Sequence, residues 1–139
     1  MIIDATDAVL GRMATRAAKL ALLGETVNVV NCEKALISGN KRSILSVFRW
    51  KETLGVGMDK GPYLQKRPDK FVRKVIRGMI PYHSARGREA YARVRCHIRV
   101  PAQFTDGKKE IVKGAMRLDS LNAKYISVGE ICRIIGDKE

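Results

Sequence analysis

The feature that most narrows the fold is the order of the first 31 residues. An apolar pair, Ile2-Ile3, is followed by the stretch Val9 to Leu23, in which Val9, Leu10, Met13, Ala14, Ala17, Leu20 and Ala21 recur at helical spacing while Arg12, Arg16 and Lys19 share the opposite face. Thr6-Asp7 offers an N-cap for that helix and Gly24 a stop. The run Thr26-Val27-Asn28-Val29-Val30-Asn31 then has the β-branched character of a strand. Strand, helix and strand in this order predict a βαβ unit, with the two strands parallel and the crossover right-handed. An α/β domain is therefore expected.

Charge is the second constraint. The chain carries a net +13, unevenly placed. Residues 1–39 hold four basic and four acidic side chains and residues 100–139 seven and six, whereas residues 40–99 hold sixteen and four. A region so dense in one sign repels itself until a polyanion lies against it, which makes the middle of the chain the expected footprint of a nucleic acid. With 139 residues, 45% of them hydrophobic, the chain is long enough to close one core, and a single domain over 1–139 is expected. No apolar run reaches the roughly 18 residues of a bilayer span, and Met1-Ile2-Ile3-Asp4 lacks the basic-then-apolar order of a signal peptide. The reading is cytoplasmic, without a membrane partner. Cys32, Cys96 and Cys132 are too far apart for a disulfide framework or a Cys-x-x-Cys motif, and Cys96-His97 lacks the local ligand spacing of a zinc site, so three reduced thiols and neither metal nor cofactor are expected.

Beyond the turn at Ser38-Gly39-Asn40, a second helix carries Ile44, Leu45, Val47, Phe48 and Leu54, with Trp50 packing at its edge. Residues 55–68 hold three glycines and two prolines and read as a basic loop. Asp69 is placed to cap a third helix, with Phe71, Val72, Val75, Ile76 and Met79 on one face and Lys70, Arg73, Lys74 and Arg77 on another, ended by Gly78 and Pro81. Residues 86–95 read as a short, arginine-rich helix, His97-Ile98-Arg99-Val100 as a strand, 104–109 as a polar turn, Tyr125–Val128 as a strand and Gly129–Ile135 as a terminal helix with Ile131, Ile134 and Ile135 inward.

A search for catalytic constellations returns weak signals. Ser38-Gly39-Asn40-Lys41-Arg42-Ser43 sits at a helix start but lacks the spacing of a Walker loop. The glycines of 55–61 are one residue too widely spaced for a dinucleotide fingerprint and follow no predicted strand. His83 stands beside Ser84 among arginines, without a carboxylate placed to orient it, and acidic residues occur singly. An RNA-modifying or nucleotide-using enzyme on the same frame is the alternative, with its site at the strand ends near Asp4 to Asp7 and Asn31 to Glu33. A protein adaptor that uses its basic patches on acidic partners is the third reading.

The positive signal is cationic. Lys70, Arg73, Lys74 and Arg77 fall at i, i+3, i+4 and i+7 and emerge from one helix face. Lys66 and Arg67 precede them and Arg86, Arg88, Arg93 and Arg95 follow, beside Tyr82, His83 and Tyr91, whose rings suit stacking on unpaired bases. Arginine prevails in the second half, and its planar fork suits bidentate phosphate contacts better than an ammonium does.

Several motifs resemble one family throughout. They are Leu10-Gly11-Arg12-Met13-Ala14, Val29-Val30-Asn31-Cys32-Glu33 with Ile37-Ser38-Gly39, and, most specific, Arg73-Lys74-Val75-Ile76-Arg77-Gly78-Met79-Ile80-Pro81, followed by Arg86-Gly87-Arg88 and Ala90. Over nearly its whole length the chain resembles the universal large-subunit ribosomal protein family called L-thirteen, in the form found outside bacteria. The resemblance implies a three-layer α/β/α domain around a mainly parallel four-stranded sheet, with extra basic helices and a basic loop and helical extension over 55–95. It also implies a structural, non-enzymatic role in the large ribosomal subunit, with large-subunit ribosomal RNA and neighbouring ribosomal proteins as partners and no small-molecule substrate. Carried over by position, the RNA-facing set is Lys41 and Arg42, then Arg73, Lys74, Arg77, Gly78, Arg86, Gly87 and Arg88. One departure stands out, because Arg99 occupies a position where the family usually has Gly, which leaves the local turn open.

Overall fold

The computed structural model describes residues 1–54, 63–105, 107, 109–115 and 124–136. Ile2–Asp4 forms β1, Leu10–Leu22 forms α1 and Val27–Val30 forms β2, with β1 and β2 parallel and Ile3 opposite Val29. The opening unit is thus the predicted one. After a short 3-10 turn at Cys32–Lys34 come β3 at Leu36–Ser38, α2 at Lys41–Thr53, α3 at Pro68–Met79, α4 at Ala85–Ala92 and β4 at Val94–Cys96. The chain continues through β5 at Lys109–Glu110, β6 at Tyr125–Ser127 and α5 at Val128–Gly136. Four strands make one parallel sheet in the order β4-β2-β1-β5, while β3 and β6 pair antiparallel as a separate ribbon. Among the described residues a parallel four-stranded sheet with five helices is the α/β architecture expected of a three-layer domain.

The core forms where the βαβ unit meets the third helix. Ile3, Val27, Val29 and Val94 are fully buried, and α1 lays Met13, Ala14, Ala17 and Ala21 into the same cluster. Each fully buried Val or Ile contributes about 1.5–3 kcal/mol of transfer free energy. Helix α3 adds Phe71, Val72 and Ile76 and packs chiefly on α1. A smaller cluster of Ile126, Ile131 and Ile135 seats α5 against the half-buried Ile37, Ile44, Leu45 and Phe48.

Several local readings are corrected. The Thr6-Asp7 pair does not cap α1, whose N-cap is Val9 without a side-chain bond; Asp7 instead turns through φ +54°, and Ala8 and Val9 bridge to Leu36 and Ala115. Asp69 does not cap α3: the helix starts at Pro68, a residue preorganised for that first position, after Arg67. The arginine-rich stretch stops being helical at Ala92, and the strand is Val94–Cys96 and not 97–100. Here pairing overrides local pattern, since Val94 reaches the core opposite Val27 and the Arg93 carbonyl accepts from the Val27 N–H at 3.0 Å. Trp50 is not packed at an edge but is 60% exposed, because α2 buries no side chain fully. Strands β3 and β5 lie in segments too short to carry a periodic signal.

Three polar features hold the carboxyl ends of β1 and β2. The Asp4 carboxylate accepts from the Thr6 N–H at 3.0 Å, the Thr6 hydroxyl at 2.7 Å and the Asn31 amide at 3.0 Å. Asn31 itself adopts φ +56°, and its N–H donates to the Arg99 carbonyl at 3.1 Å. Arg99 takes φ +58°, the left-handed conformation glycine enters freely, and its N–H donates to Glu33 at 3.1 Å. The turn that Arg99 left open is therefore retained, at the cost of a strained arginine.

Burial alone would raise the Asp4 pKa, but the bonds from Asn31 and Thr6, with the charge of Lys109, outweigh it and hold the pKa below the usual 3.8. A depressed carboxylate stabilises the fold fully above its unfolded pKa and loses that contribution as pH falls through the folded one. Asp4→Ala is expected to cost about 1–3 kcal/mol at about pH 7, with the gap to wild type narrowing in urea denaturation near about pH 3; equal stability at neutral pH refutes the role. Arg99→Gly is expected to raise stability by about 1 kcal/mol in the same measurement by relieving the left-handed arginine, and a loss would show that the turn is unstrained.

Candidate nucleic-acid interface

Helix α3 divides its side chains by chemistry. Phe71, Val72 and Ile76 are buried, Val75 is half-buried, and Met79 lies at the helix end, 40% exposed, taking the Thr15 hydroxyl on its sulfur at 3.5 Å. With that side in the core, the positions i, i+3, i+4 and i+7 emerge on the other, where Lys70, Lys74 and Arg77 are exposed and Arg73 is half-buried.

The arginines are held flat. The Arg73 guanidinium lies 4.6 Å from the centre of the Tyr91 ring and that of Arg77 lies 4.0 Å from the Tyr82 ring, while the two tyrosines meet edge to face at 5.4 Å. Each such stack contributes about 0.5–1 kcal/mol when exposed and more when desolvated, and it leaves the N–H donors at the rim of the guanidinium unspent by the ring. Arg73 Nε is buried and has no hydrogen-bond partner among the described residues, as has His97 Nε2. A buried unpaired polar nitrogen is costly until a ligand or water fills it. Tyr82 and Tyr91 thus already present a face to an arginine, whereas the sequence reading has them stacking on bases. Among the described residues the widely exposed tryptophan and tyrosine rings are instead Trp50 and Tyr63, at 60% and 64%. Neither is singled out by charge pattern; an aromatic residue inside a glycine- and proline-rich basic loop is the only sequence signal for Tyr63.

Lys70, Arg73, Lys74 and Arg77 line a single cavity of about 420 Å³ together with Tyr63, Gln65 and Tyr91. A neighbouring depression is lined by Lys70, Arg73, Arg95 and His97 together with the acidic Asp69, so Arg95 joins the same surface. Other candidates lie elsewhere or are engaged. Lys41 pairs with Glu130, and Arg42 lines a separate depression with Arg49. Lys66 reaches Glu52 at 3.8 Å, Arg67 grips the Asp69 carboxylate at 3.0 Å, and Arg93 lies 3.7 Å from Glu89. Partly exposed pairs of this kind contribute about 0–1 kcal/mol and are readily exchanged for a phosphate. Arg86 approaches the Leu22 carbonyl at 3.5 Å, and Arg88 donates to the carbonyl of the exposed His83 at 3.3 Å. Gly78 is exposed, and a Cβ there would meet nothing within 4 Å, so packing does not demand the glycine. The loop reading for 55–62 lies outside the described residues.

Several of the features weighed for catalysis have structural employment. Ser84 caps α4, accepting from the Gly87 N–H at 3.0 Å and donating to the Pro81 carbonyl at 2.8 Å. Asn40 caps α2 through the Arg42 N–H at 3.1 Å. The Asp4 oxygen that faces Asn31 already takes three donors. Cys32 is pushed far up by its hydrogen bond with Cys96 and by burial, and burial pushes Cys132 up to about 11, so both stay thiols at neutral pH. Among the described residues no three His, Cys, Asp or Glu side chains gather as a metal site, and no helix is long and apolar enough to cross a membrane.

Residues 1–102 match the family model described as Ribosomal protein L13. The chain belongs to that family. A large ribosomal subunit protein uL13 of Methanosarcina barkeri is 41% identical over 139 residues, covering 99% of this chain and 98% of its own. Those of Natronomonas pharaonis, at 40% identity with 98% and 90% covered, and Methanococcoides burtonii, at 35% with 99% and 98%, are similar over the same extent.

In this L13-family chain the Arg86-Gly87-Arg88 motif has a packing cause at its centre. Gly87 is buried, and a Cβ there would stand 1.9 Å from the Pro81 carbonyl oxygen, a clash with backbone that no rotamer relieves. Its glycine lets α4 press on the end of α3, which brings Tyr91 beside Arg73 and Tyr82 beside Arg77. Gly87→Ala is expected to cost about 1–3 kcal/mol, read as a lowered unfolding midpoint. A variant as stable as wild type would show that this contact is not tight.

Proposed function

We propose that the chain is a structural constituent of the large ribosomal subunit in the cytoplasm, holding large-subunit ribosomal RNA on its basic face beside neighbouring ribosomal proteins. Family membership supports the particle, and the relatives are named for it. The observation that carries the contact surface is the pair of arginines stacked on tyrosines, flanked by Lys70 and Lys74 around one cavity. Planar forks immobilised before binding lose little entropy when they meet phosphate oxygens. The proposed RNA-facing set is Lys41, Arg42, Lys66, Arg67, Lys70, Arg73, Lys74, Arg77, Gly78, His83, Arg86, Gly87, Arg88, Arg93 and Arg95. Within it, Lys70, Arg73, Lys74, Arg77 and Arg95 form the centre, the ion-paired members the margin, and Gly87 acts through packing.

In this reading residues 1–139 are one domain, and 55–95 is its RNA-binding extension. The contacts are to phosphate and shape, with base reading secondary. No catalytic step is assigned, since the family is one of ribosomal proteins and Asp4 and Ser84, both weighed for chemistry, serve as a tie and a cap.

With about six phosphates neutralised, affinity for large-subunit RNA should fall roughly a thousandfold between about 50 and about 200 mM salt in a filter-binding titration. Replacing Arg73 and Arg77 together by leucine should lower the salt slope by about two and, because two stacks are lost, cost about 1–2 kcal/mol of stability. A flat salt response of the wild-type protein refutes the reading.

A further inference from the structure

We propose that the cavity between Trp50 and Tyr63 receives an unpaired nucleobase of the bound RNA, so that the chain captures one nucleotide by base and phosphate together. This rests on the RNA-binding reading above and deepens it.

Two large rings stand more than half exposed at this place, an arrangement that folding alone does not favour. Between them lies a cavity of about 390 Å³ with Leu64, Phe71 and Val75 among its lining residues. Its size is at the lower end of small-ligand sites, which span about 300–1,000 Å³, and aromatic walls over an apolar lining suit a flat heterocycle. Lys51 and Lys74 also line it, so the charged side chains of its lining are positive.

An aliphatic side chain from a neighbouring protein would also fill an apolar hollow. The cavity's neighbour decides between the two occupants. Tyr63, Gln65 and Lys74 line this hollow and also the cationic cavity that holds Arg73 and Arg77. An apolar aromatic site and an anion site therefore share one wall. A nucleotide carries a flat base and a phosphate on one sugar and matches both sites at once, whereas an apolar side chain matches one and leaves the arginines unmet.

The shared wall is set in place before any ligand arrives. Lys74 Nζ donates to the Tyr63 carbonyl at 3.0 Å, tying the backbone of Tyr63 to α3, and Lys66 lies 3.8 Å from Glu52 on α2, the helix that carries Trp50. A wall held this way reduces the ordering cost of binding.

Trp50 is the chain's single tryptophan, so its fluorescence reports on this cavity alone. The full-length protein is titrated with transcribed large-subunit ribosomal RNA, and the complex is photo-crosslinked and mapped by mass spectrometry. The expected results are quenching of Trp50 and a crosslink from Trp50 or Tyr63 to a base. Trp50→Ala should bind about tenfold more weakly at fixed salt, Trp50→Phe should recover most of that loss, and the salt slope should stay unchanged because a stacked base adds no phosphate contact. The exposure of Trp50 leaves little fold to lose, and quenching and crosslinking are read on the wild-type chain in any case.

Wild-type affinity in Trp50→Ala, with the wild-type salt slope intact, overturns base capture and leaves the phosphate clamp standing. A crosslink in the assembled subunit from Trp50 to another protein, or a concentration-dependent dimer that Trp50→Ala abolishes, also overturns it by assigning the hollow to that occupant. A wild-type protein with no salt-dependent RNA binding removes the functional reading beneath it as well.

Discussion

Helix α3 must do two incompatible things on its two sides, and the burial of one makes the other tolerable. Phe71, Val72 and Ile76 lock into the cluster formed by α1 and the sheet, where Ala14, Ala17 and Ala21 are also fully buried. Small alanines let a neighbouring helix approach closely, so the apolar side of α3 has a deep seat. Lys70, Arg73, Lys74 and Arg77 would otherwise repel one another enough to loosen a free helix, because like charges three and four residues apart destabilise it. Tertiary burial, at about 1.5–3 kcal/mol for each large apolar side chain, outweighs repulsion of a few tenths of a kcal/mol per pair.

The remaining repulsion is managed by aromatic rings. Tyr91 and Tyr82 come from α4 and the turn before it, and each presents its electron-rich face to one guanidinium. The contact stabilises the charge without neutralising it, so the surface stays attractive to phosphate. An acidic partner in the same place would have cancelled that attraction. Among the described residues the cations Lys41, Lys66, Arg67 and Arg93 have acidic partners, whereas Lys70, Arg73, Lys74 and Arg77 form no ion pair.

Much of the site was legible in the sequence. The helical spacing of the four α3 cations and the apolar face behind them follow from periodicity, and the family motifs follow from the residues themselves. The partners of Arg73 and Arg77 were not legible, because Tyr91 and Tyr82 lie 18 and 5 positions away and reach them only through the fold of α4. Trp50 likewise looks like a core residue by composition, and its exposure depends on α2 sitting at the rim of the smaller cluster. The boundary at Val94 was misread because a local pattern of arginines and alanines favours helix until β2 offers an unpaired edge.

Local chemistry by itself therefore determined the βαβ start, the amphipathic division of α1 and α3, the concentration of charge in residues 40–99 and membership of a family. These depend on spacing along one chain, which the sequence records directly. Tertiary structure alone decided which cations meet an acidic partner, which rings face an arginine and which face outward, that β4 and β5 complete the sheet, and that Gly87 is required by a backbone approach. Such features depend on distances between segments far apart in sequence, and those distances are settled only when the core closes and the strands choose their neighbours.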